Sequence, residues 1–209
     1  MKLIQFTDTH FIPPGKTLYG RDPSIALERC IADINQQHDD ADLCVVTGDL
    51  THWGEPEAFE HLKEHLSALK IPWRLLVGNH DVRDEFVKWF PDQVLDENGF
   101  VQSTEDYAPG RFIFLDTNEP GRHEGWYCET RLAWLDAQLK NTGEQDVFLF
   151  MHHPPFDIGI PSLVAESLEN VICGYHLAIV RPDRDQLYSQ FLTHYRGLQR
   201  RVKEAFCWV

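Results

Sequence analysis

The chain of 209 residues is 43% hydrophobic and 25% charged, and it carries a formal net charge of −14. That length is enough to bury a sizeable core, so one domain over 1–209 is the simplest organisation. So acidic a balance argues against a nucleic-acid polymer or an anionic membrane as the main partner, because both demand a basic face.

The opening Met1-Lys2-Leu3-Ile4-Gln5-Phe6-Thr7-Asp8 turns acidic too soon for a secretory leader, and no apolar run reaches bilayer length, which points to a cytoplasmic protein. The five cysteines, Cys30, Cys44, Cys128, Cys173 and Cys207, are scattered and lack Cys-x-x-Cys spacing, so free thiols are expected. In chain order, Lys2 to Thr7 reads as a short strand followed by Asp8-Thr9-His10. A Pro/Gly-rich loop runs from Phe11 to Pro23, where a helix opens with Ile25, Leu27, Ile31 and Ile34 at near-helical spacing. Leu43 to Thr47 is the next strand and ends in Gly48-Asp49. Between Glu57 and Lys70, the stripe Phe59, Leu62, Leu66 and Leu69 predicts a second helix. The apolar run Leu75-Leu76-Val77 then stops abruptly in Gly78-Asn79-His80-Asp81. Strand, helix, strand, helix, strand is the pattern of a mainly parallel sheet.

Arg83 to Trp89 reads as a shorter helix. Gly99 to Ser103 and Arg111 to Leu115 read as an antiparallel pair, the second strand ending in Asp116-Thr117-Asn118. Thr130 to Lys140 is helical, with Leu132, Leu135 and Leu139 inward, and Asp146 to Met151 is a strand that ends in His152-His153-Pro154-Pro155. Ser162 to Glu169 and Tyr175 to Val180 are expected as helices, and Gln190 to Thr193 as a last short strand.

Four apolar strands thus end in Asp8-x-His10, Gly48-Asp49, Gly78-Asn79-His80-Asp81 and His152-His153-Pro154-Pro155. If one parallel sheet carries all four, they project from one edge and bring Asp8, His10, Asp49, Asn79 and His152 together. Carboxylate, imidazole and amide donors suit zinc, iron, manganese or cobalt better than calcium, and a carboxylate can bridge two such ions.

With this ordered set the chain resembles the calcineurin-like metallophosphoesterases, and within them the bacterial class III cyclic-nucleotide and glycerophosphodiester phosphodiesterases. The resemblance runs from residue 1 to Pro155 and includes Leu18-Tyr19-Gly20 and the piece from Gly125-Trp126 to Trp134-Leu135. It implies an α/β fold, a four-layer α-β-β-α sandwich with mixed sheets. It also implies two divalent or mixed-valence ions drawn from Fe, Mn, Zn or Co, and hydrolysis of a small phosphodiester by metal-bound hydroxide. On the same resemblance Asp8 and His10 hold the first ion, Asp49 bridges, and Asn79 and His152 hold the second. His80 faces the scissile phosphate and protonates the leaving alkoxide, while Asp81 supports it. Tyr19 and Asp22 fall at the substrate entrance, although turn chemistry explains them equally well.

The family's closing Gly-His-x-His is absent. Cys173-Gly174-Tyr175-His176 and Leu192-Thr193-His194-Tyr195-Arg196 compete for its place, and the strand-like residues before His194 favour the second. His194 then keeps its role on the second ion, while Arg196 stands where a first-ion histidine belongs. A guanidinium has no lone pair to give, so a weak first site is expected. Residues 156–209 therefore read as a degenerate or incomplete C-terminal part, and the resemblance places the family's usual dimer contact in strands that relatives carry after this stretch, which leaves a homodimer as an expectation. A degenerate, weakly active or inactive member holding one metal or a phosphate ligand is the competing reading.

Four blander readings accompany these. His61-Leu62-Lys63-Glu64-His65 matches the His-x-x-Glu-His of inverted zinc peptidases, but the buried stripe of its helix makes it a solvated face. Asp116 and Asn118 end a strand and either touch the edge of the site or, as the favoured reading, form a surface turn, and His123 reads as an exposed loop residue. His153 reads as structural.

Overall fold

The computed structural model describes residues 1–153 and the strand 177–180. Strands β1 (Leu3–Phe6), β2 (Leu43–Thr47) and β3 (Trp73–Leu76) form a parallel sheet in the order β1-β2-β3. Helices α1 (Pro23–Gln37) and α2 (Pro56–Leu66) make the two crossovers. Phe6 lies opposite Val46 and Thr47 opposite Leu76, so the three strands finish level and their polar sequels share one edge. Helix α1 starts at Pro23 because the Asp22 carboxylate accepts the Ser24 N–H at 3.0 Å and proline suits a first turn. Its buried positions are Ser24, Leu27, Ile31 and Ile34; Ile25, which the spacing grouped with them, is 48% exposed. Helix α2 buries Ala58, Phe59, Leu62 and Leu66 and closes earlier than its stripe suggested, as Ser67 Oγ donates to the Glu64 carbonyl.

A second sheet has the order β4-β5-β6-β7, built from β4 (Ser103–Tyr107), β5 (Gly110–Phe114), β6 (Val147–Phe150) and β7 (Leu177–Val180). Helix α3 (Arg83–Trp89) connects the sheets, and α4 (Glu129–Lys140) carries the chain between the parallel neighbours β5 and β6. Two sequence expectations are corrected here. The first strand of the antiparallel pair is 103–107 rather than 99–103, because the Asp96 carboxylate accepts the backbone N–H groups of Asn98 and Phe100 and folds that stretch into a loop. Residues 177–180 are a strand rather than part of a helix. They pair antiparallel with β6, Phe150 opposite Leu177 and Val147 opposite Val180, where the β-branched Ile179 and Val180 suit a ladder. The helix expected at 162–169 and the strand at 190–193 lie outside the described residues. Among the described residues no helix is long and apolar enough to cross a membrane.

Strand alternation builds the layers. Cys44, Val46 and Leu75 point to α1 and α2 and pack with Leu27, Ile31, Phe59 and Leu62. Leu43, Val45 and Leu76 point the other way, onto Phe112, Phe114 and Phe150 of the second sheet. On the far face of that sheet Ile113, Val147 and Leu149 meet Trp134 and Leu135 of α4. Helix, sheet, sheet and helix therefore stack as the expected α-β-β-α sandwich. The Phe114 and Phe150 rings, 5.0 Å apart and nearly parallel, sit where the two sheets meet. Truncating either would cost about 3–5 kcal/mol, the usual range for a buried aromatic.

Candidate metal centre

The turns that leave the strands are held in backbone conformations few side chains adopt. Asp8, His10 and Asp49 have φ of 58°, 44° and 46°, in the left-handed region where such strain gathers at working sites. Asp8 and His10 are fixed there by backbone N–H groups donating to the Gly48 and Asp49 carbonyls at 3.1 and 2.9 Å. Gly48 (φ 99°) and Gly78 leave the space these side chains need. A Cβ on Gly48 would stand 2.7 Å from His152 Cγ, and one on Gly78 would run into the Asp49 carboxylate and stand 2.8 Å from His152 Cδ2.

Asp49 occupies the middle. Its Oδ1 accepts the His80 backbone N–H at 3.0 Å and lies 3.3 Å from His152 Nε2, while its Oδ2 lies 3.6 Å from His10 Nε2. On the Oδ2 side, Asp8 Oδ1 is 3.7 Å from His10 Nε2. On the Oδ1 side, His152 Nε2 is 3.2 Å from Asn79 Oδ1. The opposite nitrogen of His152 is 2.8 Å from the Thr47 carbonyl. A carbonyl only accepts, so Nδ1 carries a proton, and Nε2 is the nitrogen turned toward Asp49 and Asn79. Ligand atoms of Asp8, Asp49 and His152 fall within 4.8 Å of one another, as do those of His10, His52 and His80. One carboxylate with its two oxygens facing two donor sets is the arrangement that fits a pair of ions, and the oxygen-and-imidazole chemistry fits Fe, Mn, Zn or Co.

His152 comes from β6, in the second sheet, so the four signatures do not leave a single parallel sheet as the sequence suggested. The two sheets pack face to face instead, and the His152–Thr47 hydrogen bond joins their ends.

His80 Nδ1 donates to the His52 carbonyl at 2.7 Å, which leaves Nε2 toward the cluster, 4.0 Å from Asp49 Oδ2. Asp81 does not touch the His80 ring. Its buried carboxylate accepts from the backbone N–H groups of Leu50, Thr51 and Gly78 and from the Thr51 hydroxyl, at 2.8 to 3.0 Å. It thereby locks the 78–81 turn to the segment after Asp49. Burial, helped by the Asp49 charge, pushes Asp81 up to about 6. Burial also disfavours a charged His10, but Asp8 and Asp49 outweigh it and raise that imidazole above its ordinary value. His52 is held lower, by burial and by its neighbours His80 and His10.

Asp116 and Asn118 do not form the surface turn read from the sequence; both are buried. Asp116 takes a bidentate pair of hydrogen bonds from Arg83, at 2.7 and 3.0 Å, and Asn118 Nδ2 donates to the Gly78 and Asp81 carbonyls under the turn. The buried Arg131 donates to the Asp116 and Asn118 carbonyls from below. His153 is structural: Nε2 donates to the His123 carbonyl at 3.2 Å, the Thr117 hydroxyl lies 2.7 Å from Nδ1, and burial keeps it well below its usual pKa. Tyr19 stands exposed with its ring 6.1 Å from that of His52, whereas Asp22 is spent on the α1 cap. Of the peptidase-like pair, His61 Nδ1 is engaged by the Ile12 carbonyl, and both ring nitrogens of His65 are taken, by the His61 carbonyl and Glu28, so His65 is not placed as a zinc ligand. His194 and Arg196 lie outside the described residues, as do 173–176.

Sequence reasoning missed two residues at this centre. His52 was legible as a histidine three positions after Asp49, but nothing local says that it turns back to His10, 3.2 Å away between the Nδ1 atoms. His123 is exposed as read, yet its Nδ1 lies 3.4 Å from Asn79 Nδ2.

Among known proteins, the family described as calcineurin-like phosphoesterase matches residues 1–180. A probable cyclic nucleotide phosphodiesterase of Rhodopseudomonas palustris is 44% identical over 173 residues, covering 81% of this chain and 63% of its own. A glycerophosphodiester phosphodiesterase of Enterobacter lignolyticus is 31% identical over 203 residues, covering 95% of this chain and 72% of its own. The chain thus spans somewhat less than two thirds of the first relative's length. A purple acid phosphatase from yellow lupin seeds superposes with a TM-score of 0.57 at 16% identity, over 83% of this chain and 34% of that one, which is a likeness of fold.

Proposed function

The chain belongs to the calcineurin-like phosphoesterase family, and from that premise we propose that it is a dinuclear-metal-dependent phosphodiesterase acting on small phosphodiesters of the cyclic nucleotide or glycerophosphodiester type. Asp8 and His10 hold the first ion, Asp49 bridges, and Asn79, His152 and, from the sequence, His194 hold the second, the ions being drawn from Fe, Mn, Zn and Co. The observation that carries this reading is Asp49, whose Oδ1 faces His152 and whose Oδ2 faces His10. When bound, such a pair supplies positive charge for the phosphoryl oxygens and acidifies water near neutral pH.

The protein's own groups do the rest. Asp81 and Asn118 hold the 78–81 turn so that Asn79 and His80 are presented together. His80, pinned through Nδ1 by the His52 carbonyl, keeps Nε2 for a proton that it gives to the departing alkoxide. Tyr19, on the exposed loop beside His52, borders the approach of the substrate. The partner is a small phosphodiester, and a homodimer belongs to the same proposal, read by sedimentation.

A second reading rests on one sequence observation, Arg196 at the position of a first-ion histidine: a member that holds one ion tightly and turns over little. Metal content of the purified chain, with hydrolysis of an aryl phosphodiester, 3′,5′-cyclic AMP and a glycerophosphodiester in added Mn(II) or Co(II), separates the two. Two ions and a metal-stimulated rate are expected. One ion without a metal-stimulated rate would leave only the second reading.

A further inference from the structure

His52 is buried, lies outside the set of residues to which the metal chemistry has been assigned, and nevertheless contacts that set twice. Its ring nitrogen Nδ1 is 3.2 Å from His10 Nδ1, and its carbonyl accepts from His80 Nδ1 at 2.7 Å. We propose that His52 is the positioning residue of this centre: its Nδ1 accepts a hydrogen bond from His10 Nδ1–H, fixing the tautomer and aim of His10, while its carbonyl does the same for His80. The inference rests on the metal-centre reading above and extends it to a residue that binds no ion itself.

Direction decides against His52 as a ligand of the first ion. The two nitrogens of one imidazole diverge, and His10 turns Nε2 toward Asp8 and Asp49, at 3.7 and 3.6 Å. A group beyond Nδ1 lies on the far side of the ring from anything Nε2 holds. A ligating imidazole needs its other N–H satisfied, and an acceptor there raises the basicity of the ligating nitrogen. The left-handed backbone of His10 and its N–H to the Asp49 carbonyl fix where the side chain starts, so the aim of the ring is left to its side-chain contacts.

His52 is itself held firmly enough for this role. Its backbone N–H donates to the Phe11 carbonyl at 2.9 Å, and the preceding Thr51 is clamped by Asp81 through both N–H and hydroxyl. The His80 ring stacks on it at 4.7 Å and 21°, and Trp53 meets it edge-on at 4.3 Å. One residue therefore joins the first-ion ligand and the proton-carrying His80, so that ion affinity and proton delivery share a support.

The test compares the full chain with His52→Leu and His52→Asn, because an asparagine Oδ1 falls where the histidine Nδ1 stood and can still accept. Co(II) titration of metal-stripped protein is read by binding isotherm, beside thermal melting. The parent is expected to bind two ions, His52→Leu to bind one of them roughly 10–100-fold more weakly with the other unchanged, the range for an outer partner of a ligand, and His52→Asn to recover most of the loss. A second measurement needs no variant: in Zn(II)-loaded, ¹⁵N-histidine-labelled parent, a scalar coupling across the N–H···N bond between His10 and His52 is expected. Unchanged affinities in His52→Leu, an asparagine no better than leucine, a missing coupling, or a third ion lost with His52 would each overturn the inference while leaving the two-ion centre standing. A parent that binds no Co(II) would overturn the centre itself, and the inference with it.

Discussion

Gly78 and Asp49 are in contact across the turn such that a Cβ on Gly78 would overlap the Asp49 carboxylate and crowd His152 Cδ2 to 2.8 Å. The missing side chain is thus what lets the central carboxylate face both donor sets. Gly78→Ala should displace Asp49 and His152 and lose bound metal and at least tenfold in phosphodiester hydrolysis, while overpacking costs stability only about 1–3 kcal/mol. Elemental analysis beside a denaturation curve checks this, and an alanine variant with full metal content would refute the argument.

His80 touches Asp49 only through its backbone N–H, and its Nε2 is 4.0 Å from Asp49 Oδ2. His80→Ala should therefore keep the parent's metal content while kcat falls roughly 10²–10⁴-fold, the span for a lost general acid. The loss should shrink for substrates with good leaving groups such as nitrophenolate, which depart without a proton. An equal loss across leaving groups would remove His80 from that role.

Asp81 accepts four hydrogen bonds in a buried site. In Asp81→Ala the N–H groups of Leu50, Thr51 and Gly78 lose their acceptor, at about 1–3 kcal/mol for each buried donor left unsatisfied. A loss of about 3 kcal/mol or more is expected in urea unfolding of metal-stripped protein, together with weaker metal binding. A variant as stable as the parent would show that water replaces the carboxylate at no cost.

His153 stays neutral when folded because burial holds it well below its ordinary value of 6.5. An unfolded histidine takes up its proton near pH 6.5, so the stability His153 permits is complete above that pH and declines as the pH falls below it. The decline is up to about 1.4 kcal/mol per pH unit for one group. His153→Gln should flatten the dependence of unfolding free energy between pH 6.5 and 5 by about that slope, and an unchanged slope would assign the acid sensitivity elsewhere.

Much of the framework was legible without coordinates. Leu43 to Thr47 reads as a strand because it is a short apolar run bounded by turn residues, and α2 shows its buried stripe in Phe59, Leu62 and Leu66. Each polar signature follows its strand in sequence, so Asp8, His10, Asp49, Asn79 and His152 could be named, and the apolar runs end within one residue of where the first three strands do. Boundaries slipped where side chains rewrote the backbone, as Asp96 did for residues 98 to 100.

What the sequence alone determined is therefore local: which residues form strands, which donors stand at their ends, and which chemistry those donors suit, because periodicity and turn chemistry act within a few residues of one another. What only the tertiary structure decided is long-range. His152 reaches the centre from a different sheet through a bond to Thr47, 105 residues away. Asp116 and Asn118 pass from an apparent surface turn to a buried support under Gly78 and Asp81, and His52 becomes the neighbour of His10. Such pairs are set by how two sheets stack and by which buried polar groups must find partners there, and no short window of sequence contains both members of the pair.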